Sequence, residues 1–221
     1  MGLEVARILY GSDNYGLNLE NSDKDYKIIE VPSFIDLWYN KTLNRQIDDN
    51  TSAWDIREFV KFLLKANPNA IELLFSVSQK FEDEELEHIF YYAKENIGAL
   101  IRNNWKIFVN AIFGLATHCV LRNGEDAKGF ARGCFFFKLF ETAYMKNGNL
   151  TSSDWRNDYS CWLKALRKED NIETLAVNYY QMKVDFCKKD WTLTPTEEDK
   201  TTCTILETMF QDYFIHRLTN N

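Results

Sequence analysis

The change in residue pattern near position 80 constrains the fold of this chain most strongly. Before it, β-prone segments such as Val5–Tyr10 and Asp23–Val31 alternate with turn signals. After it, long stretches repeat apolar residues at helical spacing. Only three prolines and nine glycines occur in the 221 residues, which favours long uninterrupted helices. We therefore expect an α+β protein with a small α/β core at 1–80 and a mainly helical C-terminal region at 81–221.

Individual elements follow from the same patterns. A further short strand or strand–helix junction is predicted at Ser52–Ile56. Residues 33–50 are predicted to form a polar connection, with Phe34, Leu37 and Trp38 on one helical turn. Helices are predicted at 57–66, 83–96, 98–121, 125–147, 152–168, 171–188 and 196–218. The run Phe135-Phe136-Phe137 is expected to lie in the core rather than to form a platform on which bases stack.

Composition narrows the classes of protein to consider. Hydrophobic residues make up 45% of the chain, which is enough for a packed core. The net charge of -7 supplies no long-range attraction to nucleic acid, although a local basic groove is still compatible with it. The five cysteines are odd in number and lack any C-x-x-C pair, as is typical of free thiols in a reducing compartment. No apolar run is long enough for a membrane span, and no signal peptide is evident. We expect a cytoplasmic protein with no membrane partner.

Two aspartates carry the first chemical signal. If Asp23 and Asp25 lie on one strand, their side chains project from the same face. Carboxylates this close repel each other, and a divalent cation between them removes the conflict. Mg²⁺ in particular is held by one or two carboxylates together with substrate phosphates. By spacing alone, a solvated strand face explains the same pair.

The neighbouring segments add to this signal. Gly11-Ser12 ends the first predicted strand, where main-chain amides and a hydroxyl are suited to bind phosphate. A third carboxylate would complete a site for two metal ions. Asp55, between a predicted strand and the helix at Arg57, is the best candidate. Asp48 and Asp49 are alternatives in a predicted loop.

Four segments in this order resemble the DNA polymerase β-like nucleotidyltransferase superfamily, and most closely its bacterial and phage group associated with RNA repair. The matching segments are Gly11-Ser12-Asp13-Asn14-Tyr15-Gly16-Leu17, Ser22-Asp23-Lys24-Asp25-Tyr26, Asp55-Ile56-Arg57-Glu58-Phe59 and Asn67-Pro68-Asn69-Ala70-Ile71-Glu72-Leu73-Leu74. The resemblance covers residues 8–76. It departs at Asp13, where the group often has His or Arg, and an acidic side chain contacts phosphate favourably only through a metal.

The resemblance implies a small mixed-sheet core and a metal-dependent enzyme. Such an enzyme transfers a nucleoside monophosphate from an NTP to an acceptor hydroxyl and releases pyrophosphate. The residues it implies are Asp23, Asp25 and Asp55 as catalytic metal ligands, and Gly11, Ser12 and Tyr15 at the nucleotide. The cofactor would be Mg²⁺ or Mn²⁺, typically two ions.

Three further residues have two interpretations each. Lys128 and Arg132 lie one helical turn apart, so they either grip the triphosphate or form a solvated helix face. Glu72 is a carboxylate among apolar neighbours and needs a partner. It either caps or pairs with Arg57 or a main-chain amide, or acts beside the active site.

The acceptor stays open between an RNA or tRNA end, a protein hydroxyl and a second nucleotide. The oligomeric state is not predicted. The alternative to an enzyme is a catalytically weakened nucleotide-binding or interaction protein, similar to an antitoxin or a regulator, on the same fold.

Overall fold

The computed structural model describes residues 2–20, 22–122 and 125–219. The five strands are β1 (Leu3–Tyr10), β2 (Asp25–Val31), β3 (Arg45–Asp48), β4 (Thr51–Asp55) and β5 (Gln79–Phe81). The helices of the first part are α1 (Phe34–Trp38), α2 (Ile56–Leu64) and α3 (Pro68–Leu74). The helices that follow are α4 (Glu84–Glu95), α5 (Ile97–Asn103), α6 (Trp105–Arg122), α7 (Ala127–Met145), α8 (Ser152–Trp155), α9 (Asp158–Lys168), α10 (Ile172–Lys188) and α11 (Glu197–Thr219). The predicted α+β class, with a mixed sheet followed by helices, is confirmed.

The sheet has the strand order β3-β4-β2-β1-β5. β1 pairs antiparallel with β2 and with β5, whereas β2 and β4 are parallel. Tyr10 at the end of β1 lies opposite Asp25 at the start of β2. Because the two strands run in opposite directions, the end of β1 with the Gly-Ser segment lies beside the start of β2 with the acidic segment.

The two faces of the sheet differ in what they carry. Side chains alternate between faces along a strand, so Asp25, Lys27 and Ile29 share one face of β2. Ile29 is fully buried in the main hydrophobic core, which makes this the helix-covered face. Glu30 points to the other face, where it forms an ion pair with Arg45.

Local sequence explains where α2 and α3 begin. The Asp55 side chain accepts a hydrogen bond from the Arg57 amide, and the Asn67 side chain accepts one from the Asn69 amide. Both are N-caps, which satisfy amides that lack a partner within the helix. Pro68 follows at the first position of α3, where its missing N–H costs nothing. The helix predicted at 57–66 is thus confirmed as α2, which ends two residues earlier, at Leu64.

The structure corrects several predicted element bounds. The helix predicted at 98–121 is interrupted at Asn104, whose side-chain amide donates to the carbonyl oxygens of Leu64 and Leu100. The helix predicted at 152–168 is divided into α8 and α9. The connection predicted at 33–50 contains α1, at the predicted helical turn, and also β3. The short strands β3 and β5 were not predicted. Such short elements depend on pairing with distant strands rather than on local pattern.

The core runs without interruption from the sheet into the helices. The Phe135–Phe137 run of α7 is buried, as predicted. Tyr15, just after the Gly-Ser segment, stacks on Phe135 with ring centroids 4.5 Å apart. This contact joins the loop after β1 to the helical region. Within the described ranges, no helix is both long and apolar enough to cross a membrane.

Candidate active site

The turn after β1 brings a carboxylate and a guanidinium together. Residues Gly11–Asp13 form one turn of 3-10 helix, and Gly11 has a φ of 82°. This left-handed conformation favours glycine. A Cβ at Gly11 would lie 3.1 Å from Asp25 Oδ2 and 3.5 Å from Arg132 Nη2. Glycine is thus required both by the backbone angle and by the close approach of these two side chains.

The acidic pair lies at the entrance to β2 rather than within it. β2 begins at Asp25, so Asp23 precedes the strand, and the predicted strand start at Asp23 is corrected by two residues. Asp25 is half-buried and Asp23 is exposed. Burial raises the pKa of Asp25, while nearby Arg132 and Lys128 act in the opposite direction. The two aspartates remain neighbours, since Asp23 also acts on the pKa of Asp25.

Asp55 is separated from this pair, which corrects the expectation that it completes the site as a third ligand. In the parallel ladder Asp55 lies beside Glu30, whereas Tyr26, next to Asp25, lies beside Thr51. Asp55 is therefore about 16 Å further along the sheet, and the register assigns it to the opposite face. Its carboxylate is fully buried and binds Arg57 through both oxygens, at 2.9 and 2.6 Å.

Three cationic side chains lie on the helical side of the site. Lys128 and Arg132 come from α7, as predicted, and Arg167 comes from α9. Burial and the charge of Arg132 lower the pKa values of both Lys128 and Arg167. The Nε atom of Arg132 is buried and has no hydrogen-bond partner. Cations held this close together are suited to bind a polyanion. Arg167 carries no recognisable sequence signal, because its proximity depends on the packing of α9 against α7.

Glu72 of α3 holds the turn in place. Its carboxylate accepts hydrogen bonds of 2.5 Å from the Gly11 amide and from the Tyr15 hydroxyl. Its main-chain carbonyl accepts one from the Asn14 side chain. This agrees with the interpretation that Glu72 binds a main-chain amide, whereas the alternative pairing with Arg57 is wrong. Burial raises the pKa of Glu72 to about 7.

The position of Tyr15 also differs from the expected one. Tyr15 is only 4% exposed, between Phe135 and Trp155, with its hydroxyl on Glu72. The structure therefore places Tyr15 behind the turn as a support. The Gly11 amide likewise donates to Glu72. The contact of Gly11 with the nucleotide remains a prediction, whereas the Tyr15 side chain is a supporting contact within the protein.

A buried lysine beside Asp25 was not predicted. Lys27 Nζ donates a 2.6 Å hydrogen bond to Ser52 Oγ. It lies 4.9 Å from the ring centroid of Tyr10 and 4.6 Å from that of Trp54. Burial lowers the pKa of Lys27 to about 8. The alternation of β2 hinted at a shared face with Asp25, but only the pairing with β4 shows that Ser52 receives the ammonium group.

Asp13 is the second buried carboxylate at the turn. It is 7% exposed, and its Oδ2 atom has no hydrogen-bond partner. Its main-chain carbonyl accepts a hydrogen bond from the Arg156 guanidinium. Asp13 acts on the pKa of Asp25 in the direction expected of a nearby negative charge.

The residues present fit a cation bound together with a phosphate group. A buried carboxylate oxygen of Asp13 and a buried guanidinium nitrogen of Arg132 both lack a partner around Asp25. A divalent cation and a phosphate oxygen would satisfy one each. Among the residues that the structure describes, no three His, Cys, Asp or Glu side chains form a ready metal-binding group. A cation here would therefore need substrate oxygens as additional ligands.

The Gly-Ser turn and the acidic pair, whose order along the chain carries the resemblance to polymerase β-like nucleotidyltransferases, meet at adjacent ends of β1 and β2. A model of the RNA repair pathway DNA polymerase beta family, RlaP, matches residues 5–99. This match confirms the resemblance to polymerase β-like nucleotidyltransferases associated with RNA repair, over the segment that carries both the turn and the acidic pair. Comparison with curated proteins and with solved structures found no match.

Proposed function

We propose that this protein is a metal-dependent nucleotidyltransferase that transfers a nucleoside monophosphate from an NTP to an acceptor hydroxyl. The observation that carries the proposal is the convergence of Asp25 and Arg132 on Gly11, both within 3.5 Å of the point where a Cβ would stand. A carboxylate for a metal and a guanidinium for a phosphate are the two groups that phosphoryl transfer requires at close quarters.

In this proposal Asp23 and Asp25 hold Mg²⁺ or Mn²⁺, with phosphate oxygens completing the coordination. The metal, when bound, neutralises charge on the transferred phosphoryl group and lowers the pKa of the acceptor hydroxyl. Arg132 donates a planar pair of N–H groups to phosphate, and Lys128 and Arg167 add positive charge. Arg167 is held in place by a 2.5 Å hydrogen bond from Nη1 to the Leu17 carbonyl. Ser12 supplies the hydroxyl of the turn, which Glu72 and Tyr15 keep in position from behind.

An RNA end is the acceptor that we propose first, because the matching family is described by its RNA repair pathway. A tRNA end, a protein hydroxyl and a second nucleotide are the other classes to test. The net charge of -7 supplies no general attraction to a long nucleic acid. We therefore expect a short acceptor footprint next to the cationic cluster, in a cytoplasmic protein.

The position of Asp55 favours one alternative. Without a carboxylate from β4 at the acidic pair, the protein would bind a nucleotide and transfer it slowly or not at all. Thermal stabilisation by Mg²⁺ and an NTP, without pyrophosphate release on any acceptor, is the result expected of such a nucleotide-binding or interaction protein.

The test is incubation with each α-labelled NTP, Mg²⁺ or Mn²⁺, and a panel of RNA ends, tRNA, nucleotides and protein acceptors. Label on one acceptor and release of pyrophosphate are the expected results. The double variant Asp23→Ala, Asp25→Ala should lose transfer and keep its circular dichroism spectrum. Asp212→Asn, an exposed position on α11, is the matched control. Full transfer by the double variant would refute the site.

A further inference from the structure

The Asp13 carboxylate is a buried group whose partner is missing from the protein itself. It is 7% exposed, and Oδ2 makes no hydrogen bond. Burying an unpaired carboxylate oxygen costs several kcal/mol, so such groups are normally paired or bound to a metal. Asp13 belongs to the same turn as Gly11, at which a Cβ would lie 3.1 Å from Asp25 Oδ2.

The hydrogen-bond donors beside the Asp13 main chain are engaged with other groups. The Arg156 guanidinium donates to the main-chain carbonyls of Asp13 and Asn14, and the Tyr15 hydroxyl donates to Glu72. Arg132 and Lys128 act on Asp25. Asp13 adds a further negative charge beside Asp25, since it acts to raise the pKa of that carboxyl. Two partly buried carboxylates with this relationship are stabilised by a shared cation.

We propose that Asp13 is a third carboxylate of the metal site and binds the divalent cation together with Asp25 and phosphate oxygens of the nucleotide. This inference rests on the proposed function. Asp13 would then be the third carboxylate, a role that Asp55 cannot fill because the register of β4 separates it from Asp25. Among the described residues, Asp13, Asp23 and Asp25 do not by themselves form a ready three-carboxylate group, so phosphate oxygens must complete the coordination.

The first experiment measures Mn²⁺ binding by electron paramagnetic resonance, with and without a non-hydrolysable NTP analogue. Asp13→Asn should weaken Mn²⁺ binding in the presence of the analogue by about tenfold or more. Asp25→Asn should do the same, and Asp212→Asn should bind as wild type. Circular dichroism and thermal unfolding establish that each variant is folded at the temperature of the measurement.

The outcomes separate this inference from the proposed function. Weak binding in Asp25→Asn with wild-type binding in Asp13→Asn would overturn the role of Asp13 alone. Wild-type binding in both variants would overturn the proposed metal site as a whole. Weak binding in both supports the inference.

A change of metal preference provides a second readout. A thiolate prefers soft cations, so Asp13→Cys should bind Cd²⁺ at least about tenfold more tightly than Asp13→Asn, again with the analogue present. Asp212→Cys, compared with Asp212→Asn, controls for a new exposed thiol. Equal Cd²⁺ affinity of the two Asp13 variants would count against direct ligation.

Discussion

The carboxylate of Glu72 accepts a 2.5 Å hydrogen bond from the main-chain amide of Gly11, which lies 61 residues earlier in the chain. The turn that faces the acidic pair is therefore positioned by a side chain of α3. A second bond from the Tyr15 hydroxyl reaches the other oxygen of the same carboxylate. The geometry of the candidate site depends on this buried group, which makes Glu72 the first residue to test.

Glu72 should make stability depend on pH in an unusual direction. Burial raises its pKa from 4.5 to about 7. Between these values the unfolded chain loses the proton while the folded protein retains it. The free energy of unfolding should therefore fall as the pH rises through this window, by up to roughly 3 kcal/mol, and level off above about pH 7. Urea unfolding across the window measures this slope.

Glu72→Gln should remove this part of the slope, because the amide does not ionise. Glu87→Gln, an exposed change on α4, should leave it in place. An unchanged slope in Glu72→Gln would show that Glu72 ionises at its ordinary pKa in the folded protein.

Gly11→Ala should damage both the fold and the site. The left-handed φ of 82° costs an alanine about 1–2 kcal/mol of stability, and the new methyl group would stand 3.1 Å from Asp25 Oδ2. We expect loss of nucleotide transfer even at a temperature where the variant is folded. In Gly114→Ala the methyl group meets nothing within 4 Å, in the middle of α6. That control should gain up to about 1 kcal/mol and keep full activity. Equal behaviour of the two variants would contradict the role of Gly11.

Asp55→Asn should lower the free energy of unfolding and leave nucleotide transfer nearly unchanged. The change replaces the buried carboxylate that pairs with Arg57 by a neutral amide. The Arg57 side chain is 32% exposed, so water can solvate its charge in the variant. We expect a loss of about 2 kcal/mol in denaturant unfolding. Transfer per folded molecule should stay close to wild type, in contrast to Asp25→Asn. If both variants lost transfer equally while folded, Asp55 would belong to the reacting centre.

Arg132→Met should weaken NTP binding with little effect on the fold. The Nε atom is buried without a hydrogen-bond partner, as suits a group reserved for a ligand. Loss of its charge-assisted bonds should raise KM for the NTP by about tenfold to a hundredfold. Arg132→Lys should recover only part of this loss, because an ammonium lacks the planar fork. Lys138→Met, two turns along α7, is the control, and steady-state kinetics with varied NTP is the measurement. Equal KM values for the two Met variants would refute the assignment.

Local sequence patterns were sufficient to predict the main helices and the segments that carry the candidate site. The helix-forming region after position 80, the Gly-Ser turn and the acidic pair are short-range features, and the order of the matching segments along the chain indicated the class. Lys128 and Arg132 were predicted to share a face because their spacing is one helical turn. Their interpretation as a phosphate grip remains a prediction.

Tertiary structure decided which of these residues meet. The parallel pairing of β2 with β4 separates Asp55 from Asp25 along the sheet and by face, and pairing register depends on contacts that no local pattern specifies. The support that Glu72 supplies to Gly11, the burial of Tyr15 against Phe135 and the approach of Arg167 all join distant parts of the chain. The sequence by itself therefore determined the main helices and strands and which acidic and cationic residues are available for a site. Packing decided their partners, because burial and long-range contact, rather than spacing, determine which charge lies beside which.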